Sequence, residues 1–512
     1  MSETWYAHLL FILFVVALAL LVPPEATGHL WHIEAGVFFS LGILAIWRYT
    51  WGLMHYVRSL IYRRYTFLRM RRAADAELAN FTDRETAPHA YLLVTSFRQD
   101  GDTSASVYRA AFQAALNAPG RATVIASLVE VGDLRLVNSI YRLLCGHTDR
   151  VKLIIVRIDG TGKRDALAYG FRAISKTEPR PDDLVAVIDG DSVVPTDLVN
   201  KCLGFFQLDP QVGALTTDEV SEVRGRAIFH IWYSLRFAQR HILMASNGLA
   251  GRVLTLTGRM SMFRADIVCN PDFIQQVEND HIEHWRLGRI RFLTGDDKSS
   301  WFWLLKNGYK MLYIPDVVVS TVEVPPGEAF IPTAAKLMRR WFGNMLRTNG
   351  RALLLGPARI GAFTWWNIFD QRISMWTSLA GFVMVLIAGI FITPYAFIAY
   401  AVWTLATRYV LTLMLFSSRK RVSALYPFFI YFNQIFGSMI KTYVFFRPNR
   451  QSWTRQKTSL TGRSGLLGGV MYASSVYMHI LAIGVFVTAL AWFVGVLPIP
   501  EPGLLFRMFG WA

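Results

Sequence analysis

Charge is scarce in this chain, and acidic charge is the scarcest. Only 17% of its 512 residues are Asp, Glu, Lys or Arg, below the quarter or so usual in a soluble globular protein. Cysteine is almost missing as well. Cys145, Cys202 and Cys269 share no CxxC spacing, which excludes a disulfide framework and a cysteine zinc site and suits a reducing compartment. What remains is 53% hydrophobic and 14% aromatic, which excludes a disordered chain and an ordinary cytosolic enzyme. The composition fits a membrane protein with one soluble domain. The 53 Lys and Arg outnumber the 36 Asp and Glu, a net charge of +17. Nucleic-acid binding is one reading of that excess; in a membrane protein, basic cytoplasmic flanks and a path for a polyanion are two others.

Residues 5–22 hold a single polar side chain, His8, and stop at Pro23-Pro24. No Lys or Arg precedes them, which argues against a signal peptide. A second apolar stretch, 35–54, is broken only by Arg48. Each is close to the roughly 20 residues a crossing needs. Six arginines follow between Arg58 and Arg72, so the positive-inside rule puts this side in the cytoplasm. Apolar stretches return at 373–392, 395–416 and 468–497, giving five expected crossings. The segment 425–446 contains Pro427, Asn433, Gln434 and Lys441 with basic flanks at both ends. It lies in the interface, packs in the bundle or lines a channel. The expected organisation is therefore two transmembrane helices in 1–57, a basic cytoplasmic linker in 58–87 and a soluble domain in 88–330. Interfacial amphipathic helices follow in 331–372, then channel helices in 373–512 with an interfacial segment 425–446 and a cytoplasmic loop 447–467.

Within the soluble part, short apolar runs at 90–97, 122–131, 151–158 and 184–189 alternate with helix-like stretches at 104–117, 134–145 and 163–175. That alternation predicts an α/β domain with a mainly parallel sheet covered by helices on both faces. Ligands on such sheets bind at the carboxyl ends of the strands. The fourth run ends in Asp189-Gly190-Asp191, two carboxylates suited to a Mg²⁺ or Mn²⁺ that also holds a diphosphate; an acidic turn is the plainer alternative. The third run is followed by Asp159-Gly160-Thr161-Gly162-Lys163-Arg164 at a helix start, where backbone N–H groups and two cations favour a phosphate. The Walker A spacing is absent. Gly295-Asp296-Asp297-Lys298 offers a general base, or only a helix cap. Arg339-Arg340-Trp341 can grip a diphosphate and stack on a ring, or can snorkel from an interfacial helix with Arg347 and Arg351. Asp280-His281-Ile282-Glu283-His284 has a spacing metals use, although a polar helix face explains it better.

In this order, between membrane spans, the motifs resemble those of the processive, membrane-integrated family 2 glycosyltransferases, the group of cellulose, chitin and hyaluronan synthases. Leu337 stands where that group's last motif has Gln. The chain is most similar to the catalytic subunits of bacterial alginate polymerase, the mannuronan synthases, a branch to which that Leu belongs. The most specific stretches lie at 293–305, 316–323, 363–377 and 444–456.

The resemblance implies a cytoplasmic GT-A-like domain inserted between transmembrane helices of a multi-pass protein of the bacterial inner membrane. It implies that Asp189 and Asp191 contact the nucleotide diphosphate and a divalent metal, with Asp191 the metal ligand and Mg²⁺ or Mn²⁺ the cofactor. Asp297, beside Asp296, becomes the general base on an acceptor 4-hydroxyl. Lys163, Arg340 and Trp341 hold the diphosphate, and the turn at Arg259 lies beside the acceptor sugar. Trp453 and Arg455 sit at the channel's cytoplasmic mouth. Asp100 and either Glu130 or Asp133 are the candidates for holding the nucleotide base. Lys298, with Arg259 and Arg264, offers a partner for a sugar carboxylate.

The implied activity is transfer of mannuronate from GDP-mannuronate to a growing polymannuronate chain. The implied partners are a cyclic-di-GMP-binding PilZ subunit, periplasmic secretion proteins and membrane lipids, with no nucleic acid. A synthase using a UDP-sugar and a non-catalytic scaffold or transporter are the competing readings.

Overall fold

The computed structural model describes residues 5–24, 35–81, 83, 85–159, 162–291, 293–450 and 466–498. They form two compact units, one of Met54–Arg372 with Pro448–Gly462, the other of Met1–Leu53, Ile373–Arg447 and Arg463–Ala512.

In the first unit the four apolar runs become β1 (Ala90–Thr95), β2 (Ala122–Leu128), β3 (Val151–Arg157) and β4 (Leu184–Asp189), all mutually parallel in the order β3-β2-β1-β4. Every residue of β1 and β2 is buried, as near-continuous apolar strands must be when helices cover both faces. Beyond β4 the sheet changes character. It continues through β5 (Ser192–Val193), β6 (Val212–Val223), β7 (Met260–Arg264) and β10 (Lys310–Glu323), while β8 (Ile282–His284) and β9 (Gly288–Ile290) form a separate hairpin. The eight strands run β3-β2-β1-β4-β7-β6-β10-β5, and β7 is antiparallel to both of its neighbours. The sheet is thus mixed, although six of its eight strands point the same way and only β7 and β5 run against them. The reversal matters chemically, because the turn entering β7 delivers the Arg259 carbonyl to the Asp189 amide at 3.0 Å.

The segment expected to be a linker is instead helical. The helix Ala35–Ile61 passes through one π-helical turn, Tyr62–Thr66, into Phe67–Ala79. Tyr62 is fully buried and donates to the Tyr313 carbonyl at 2.6 Å. Its ring fills the space a side chain on Gly248 would need: a Cβ there would come within 2.6 Å of it. Arg71 clasps Asp316 with two bonds of 2.6 and 2.8 Å and also donates to the Lys201 carbonyl at 2.6 Å. The basic run is therefore partly consumed in holding this helix to the domain.

In the second unit, among the described residues, Tyr395–Ser417 and Gly468–Phe493 are long and apolar enough to cross a membrane, as is Ala362–Phe391, which enters it from the first unit. Trp5–Leu20 is apolar but has only 16 residues. Polar groups along these helices bond to one another. Arg408 donates to Gln434 and to the Tyr49 hydroxyl at 2.9 Å, Arg48 to Thr377 at 2.9 Å, and Lys441 to Ser374 at 3.3 Å. Gln434 and Lys441, on the helix Tyr426–Phe446, thus both have bonding partners on neighbouring helices.

Candidate active site

The carboxyl end of β4 is where the first motif acts. Gly190 permits the sharp exit, since a Cβ there would lie 2.6 Å from the Thr95 carbonyl oxygen. Asp191 then anchors the far side of the turn, its carbonyl accepting from the Val322 amide at 2.9 Å. Lys163, the first residue of the helix Lys163–Ser175, bridges the motifs: its Nζ lies 2.6 Å from Asp189 Oδ1 and 3.0 Å from Asp296 Oδ2. Three stretches spread over more than a hundred residues of sequence thus meet at one ammonium group. Gly258 closes the same space, for its Cβ would sit 3.3 Å from Lys163 Nζ and 3.4 Å from Asp189 Oδ2.

Burial pushes the pKa of Asp189 up to about 7, and the charges of Asp191 and Asp296 add to this against the pull of Lys163. Burial works the other way on Lys163, but the two carboxylates override it and hold the pKa above the usual lysine range. Among the described residues no group of three or more His, Cys, Asp or Glu converges as a metal cage. Two carboxylates across a glycine nevertheless fit a hard divalent cation that takes its other oxygens from a diphosphate and water.

Asp296 and Asp297 begin the helix Asp296–Lys306. Burial raises the Asp297 pKa, Asp296 raises it further, and Lys298 opposes both. Lys298 itself points inward, donating to the Leu254 carbonyl at 2.7 Å with its Nζ 4.8 Å from the Trp301 ring centre. Its burial lowers its pKa to about 8. Expected as a contact for a sugar carboxylate, Lys298 is engaged elsewhere. Arg264 is in the same position, bonded to the carbonyls of Val212 at 2.9 Å and Asp209 at 3.1 Å. Arg259 pairs with Glu219 at 3.3 Å and with Glu323.

Trp341, on the helix Phe330–Leu353, packs against Trp232 with ring centres 5.6 Å apart and carries the Arg236 guanidinium 3.2 Å from its ring centre. Leu337 of the same helix is buried, so an apolar residue fits where the family motif has Gln. Arg347 and Arg351 do not snorkel. Arg347 donates to Thr294 at 3.1 Å, and Arg351 grips the buried Asp280 with bonds of 2.6 and 2.5 Å. Asp280 therefore serves an ion pair, and the residues after it form the hairpin strand β8 rather than a polar helix face.

The proposed base-binding acids divide. Asp100 caps the helix Gly101–Leu116, accepting from the Thr103 amide at 2.9 Å, and pairs with Arg224 at 3.2 Å near the surface. Glu130 and Asp133 lie together beyond β2. Among the described residues Glu130 Oε2 is buried with no hydrogen-bond partner, and burial together with Glu130 raises the Asp133 pKa. Asp133 accepts from Ser96, at the end of β1, at 3.3 Å. Trp453 and Arg455 fall outside the described residues.

Residues 88–344 match the family described as Glycosyltransferase like family 2. The chain belongs to glycosyltransferase family 2. Two relatives match it over most of its length, both described as Glycosyltransferase alg8. The one from Pseudomonas syringae pv. tomato is 49% identical over 83% of this chain and 85% of its own. The one from Azotobacter vinelandii is 46% identical over 88% and 90%. Among solved structures, a mannosyltransferase from Pyrobaculum calidifontis in complex with GDP-Man and Mn²⁺ aligns with a TM-score of 0.40 at 15% identity, covering 76% of this chain and 98% of that one.

Within this family 2 glycosyltransferase, sequence reasoning passed over Arg236, Arg240, Glu219 and Glu323. A signal existed for Glu219. Thr216-Thr217-Asp218-Glu219 are four consecutive polar residues inside a fully buried stretch of β6, and buried charge must be paired. Arg240 supplies that partner at 2.6 Å.

Proposed function

We propose that this glycosyltransferase is a processive, inverting mannuronan synthase. It adds mannuronate from GDP-mannuronate to a β-1,4-linked polymannuronate, the alginate precursor, and passes the product across the inner membrane through its own helices. The observation that carries the reading is the convergence of Asp189, Asp191, Lys163 and Asp296 beside Asp297. The alg8 name shared by relatives of 46–49% identity supports alginate as the product, and the +17 excess suits a polyanion.

Asp189 and Asp191 hold a divalent cation with the donor diphosphate. A bound Mg²⁺ or Mn²⁺ neutralises charge on the leaving GDP. Lys163 adds a cation at the same place, and Arg340 with Trp341 contributes from the neighbouring helix. Glu130 and Asp133 suit guanine, whose N1–H and 2-amino group are adjacent donors. Asp297, held in a dry site with a raised pKa, takes the proton from the acceptor 4-hydroxyl, and in-line attack inverts the anomeric carbon. Arg259 lies beside the acceptor end, and Trp453 and Arg455 belong to the channel mouth. Regulation comes from a separate cyclic-di-GMP-binding PilZ subunit, with periplasmic secretion proteins downstream.

Membranes bearing the chain and its partners should incorporate radiolabel from GDP-mannuronate, with Mg²⁺ and cyclic di-GMP, and not from UDP-glucuronate or UDP-glucose. EDTA should stop incorporation. Asp297→Asn should lower turnover by about 10²- to 10⁴-fold, the usual contribution of a general base, while GDP still binds. Polymer from a UDP-sugar alone would refute the donor assignment.

A further inference from the structure

Three guanidinium groups, Arg236, Arg240 and Arg259, lie close to two carboxylates, Glu219 and Glu323. Glu219 is shared, 2.6 Å from Arg240 and 3.3 Å from Arg259, and Glu323 is taken by Arg259. Arg236 is left over. Among the described residues no carboxylate or carbonyl meets its guanidinium, which instead lies 3.2 Å over the Trp341 ring centre and 5.4 Å from that of Trp232. Burial lowers its pKa to about 9; Tyr233 and Glu323 oppose this, and Arg259 and Arg240 add to it. A desolvated cation that no carboxylate contacts directly costs free energy that an arriving anion recovers. Stacking on tryptophan leaves the guanidinium edge available, and that edge matches a carboxylate with two parallel hydrogen bonds.

The cluster also adjoins the reacting groups. Arg259 is close enough to Asp191 to feel its charge, and Arg240 acts on Lys298, the neighbour of Asp297. An anion held by this cluster therefore lies near the reacting groups. The cations that the sequence offers for a sugar carboxylate, Lys298, Arg259 and Arg264, are all engaged with protein oxygens.

We propose that Arg236 is a specificity-determining residue that pairs with the carboxylate of the uronic acid at the acceptor end. This rests on the uronate-polymer reading above. The test uses the full enzyme in membranes with GDP-mannuronate as donor and two acceptors of equal length, a mannuronate oligosaccharide and its carboxyl-reduced, neutral counterpart. Wild type should prefer the uronate. Arg236→Gln should lower kcat/KM for the uronate acceptor roughly 10- to 100-fold, the scale of hydrogen bonds to a charged group, and leave the neutral acceptor unchanged. Arg236→Lys, which keeps the charge but not the fork, should fall between. GDP binding, measured by titration calorimetry with Mg²⁺, should be unaltered in both variants.

An equal loss on both acceptors would overturn the proposal, as would an undiminished uronate preference. Weakened GDP binding would also overturn it, assigning Arg236 to the diphosphate or to the fold. A wild type that makes no product from GDP-mannuronate would instead refute the parent reading, and this one with it.

Discussion

Lys163 shows how far single residues can be read. Its position after a strand and before a helix marks it as a phosphate ligand, yet only the fold reveals that it neutralises two acidic motifs from distant parts of the chain. Lys298 shows the opposite case. Adjacent to the proposed base in sequence, it is turned away from it, because successive residues on a helix do not share a face. Its charge still reaches Asp297. Asp297 must be deprotonated to accept a proton, and burial raises its pKa, so kcat/KM should fall at a pH above the ordinary carboxylate range as the solution is acidified. Lys298→Met removes a cation that favours the ionised form. The acid limb of the pH–rate profile should then move to still higher pH, with little change in GDP affinity. An unmoved limb would show that another group limits the rate.

Elements were legible where they carried a long, uniform pattern. The four parallel strands were, because each is an apolar run of six or seven residues. β7 was not: Met-Ser-Met-Phe-Arg is short and lacks β-branched residues, so nothing marks it as the strand that reverses the sheet. Arg347 and Arg351 on the helix Phe330–Leu353 misled for a different reason. Amphipathicity with arginines reads equally well as a membrane-surface helix or as one packed on a domain, and partners from distant sequence decide between them. Here Arg351 meets Asp280, whose side chain is 1% exposed. Arg351→Ala should remove the ion-pair partner of that buried carboxylate and leave only the more distant Arg164 to compensate it, at a cost of up to about 3–5 kcal/mol. The detergent-purified variant should unfold at a clearly lower temperature, and Asp280→Asn in the same chain should recover part of the loss. A variant as stable as wild type would mean that Ser299 and Gln276, which also bond Asp280, suffice.

At the scale of the whole molecule, sequence separates apolar helices from the catalytic unit with ease, since hydropathy is additive along the chain. It does not tell whether a polar residue inside a span faces a channel or another helix, and Arg408 with Gln434 turned out to be a mutual pair. Translocation makes a separate demand. In sealed inside-out vesicles supplied with GDP-mannuronate, labelled polymer should accumulate in the lumen and resist an added alginate lyase until detergent is introduced. Immediate digestion would mean synthesis without transport.

The seat of Tyr62 decides where this protein can be cut. Residues 88–344 match the family, and a fragment trimmed to that border would look complete. It would lack Tyr62, Phe67 and Ala74, all buried, and would uncover both Gly248 and the face of Gly204 on which Ala74 rests. Each aromatic lost from such a contact forfeits about 1.5–3 kcal/mol, so the excised piece would tend to aggregate rather than work in solution. A soluble catalytic fragment has to begin before the π-helical turn, carrying with it the end of a helix whose own sequence says membrane.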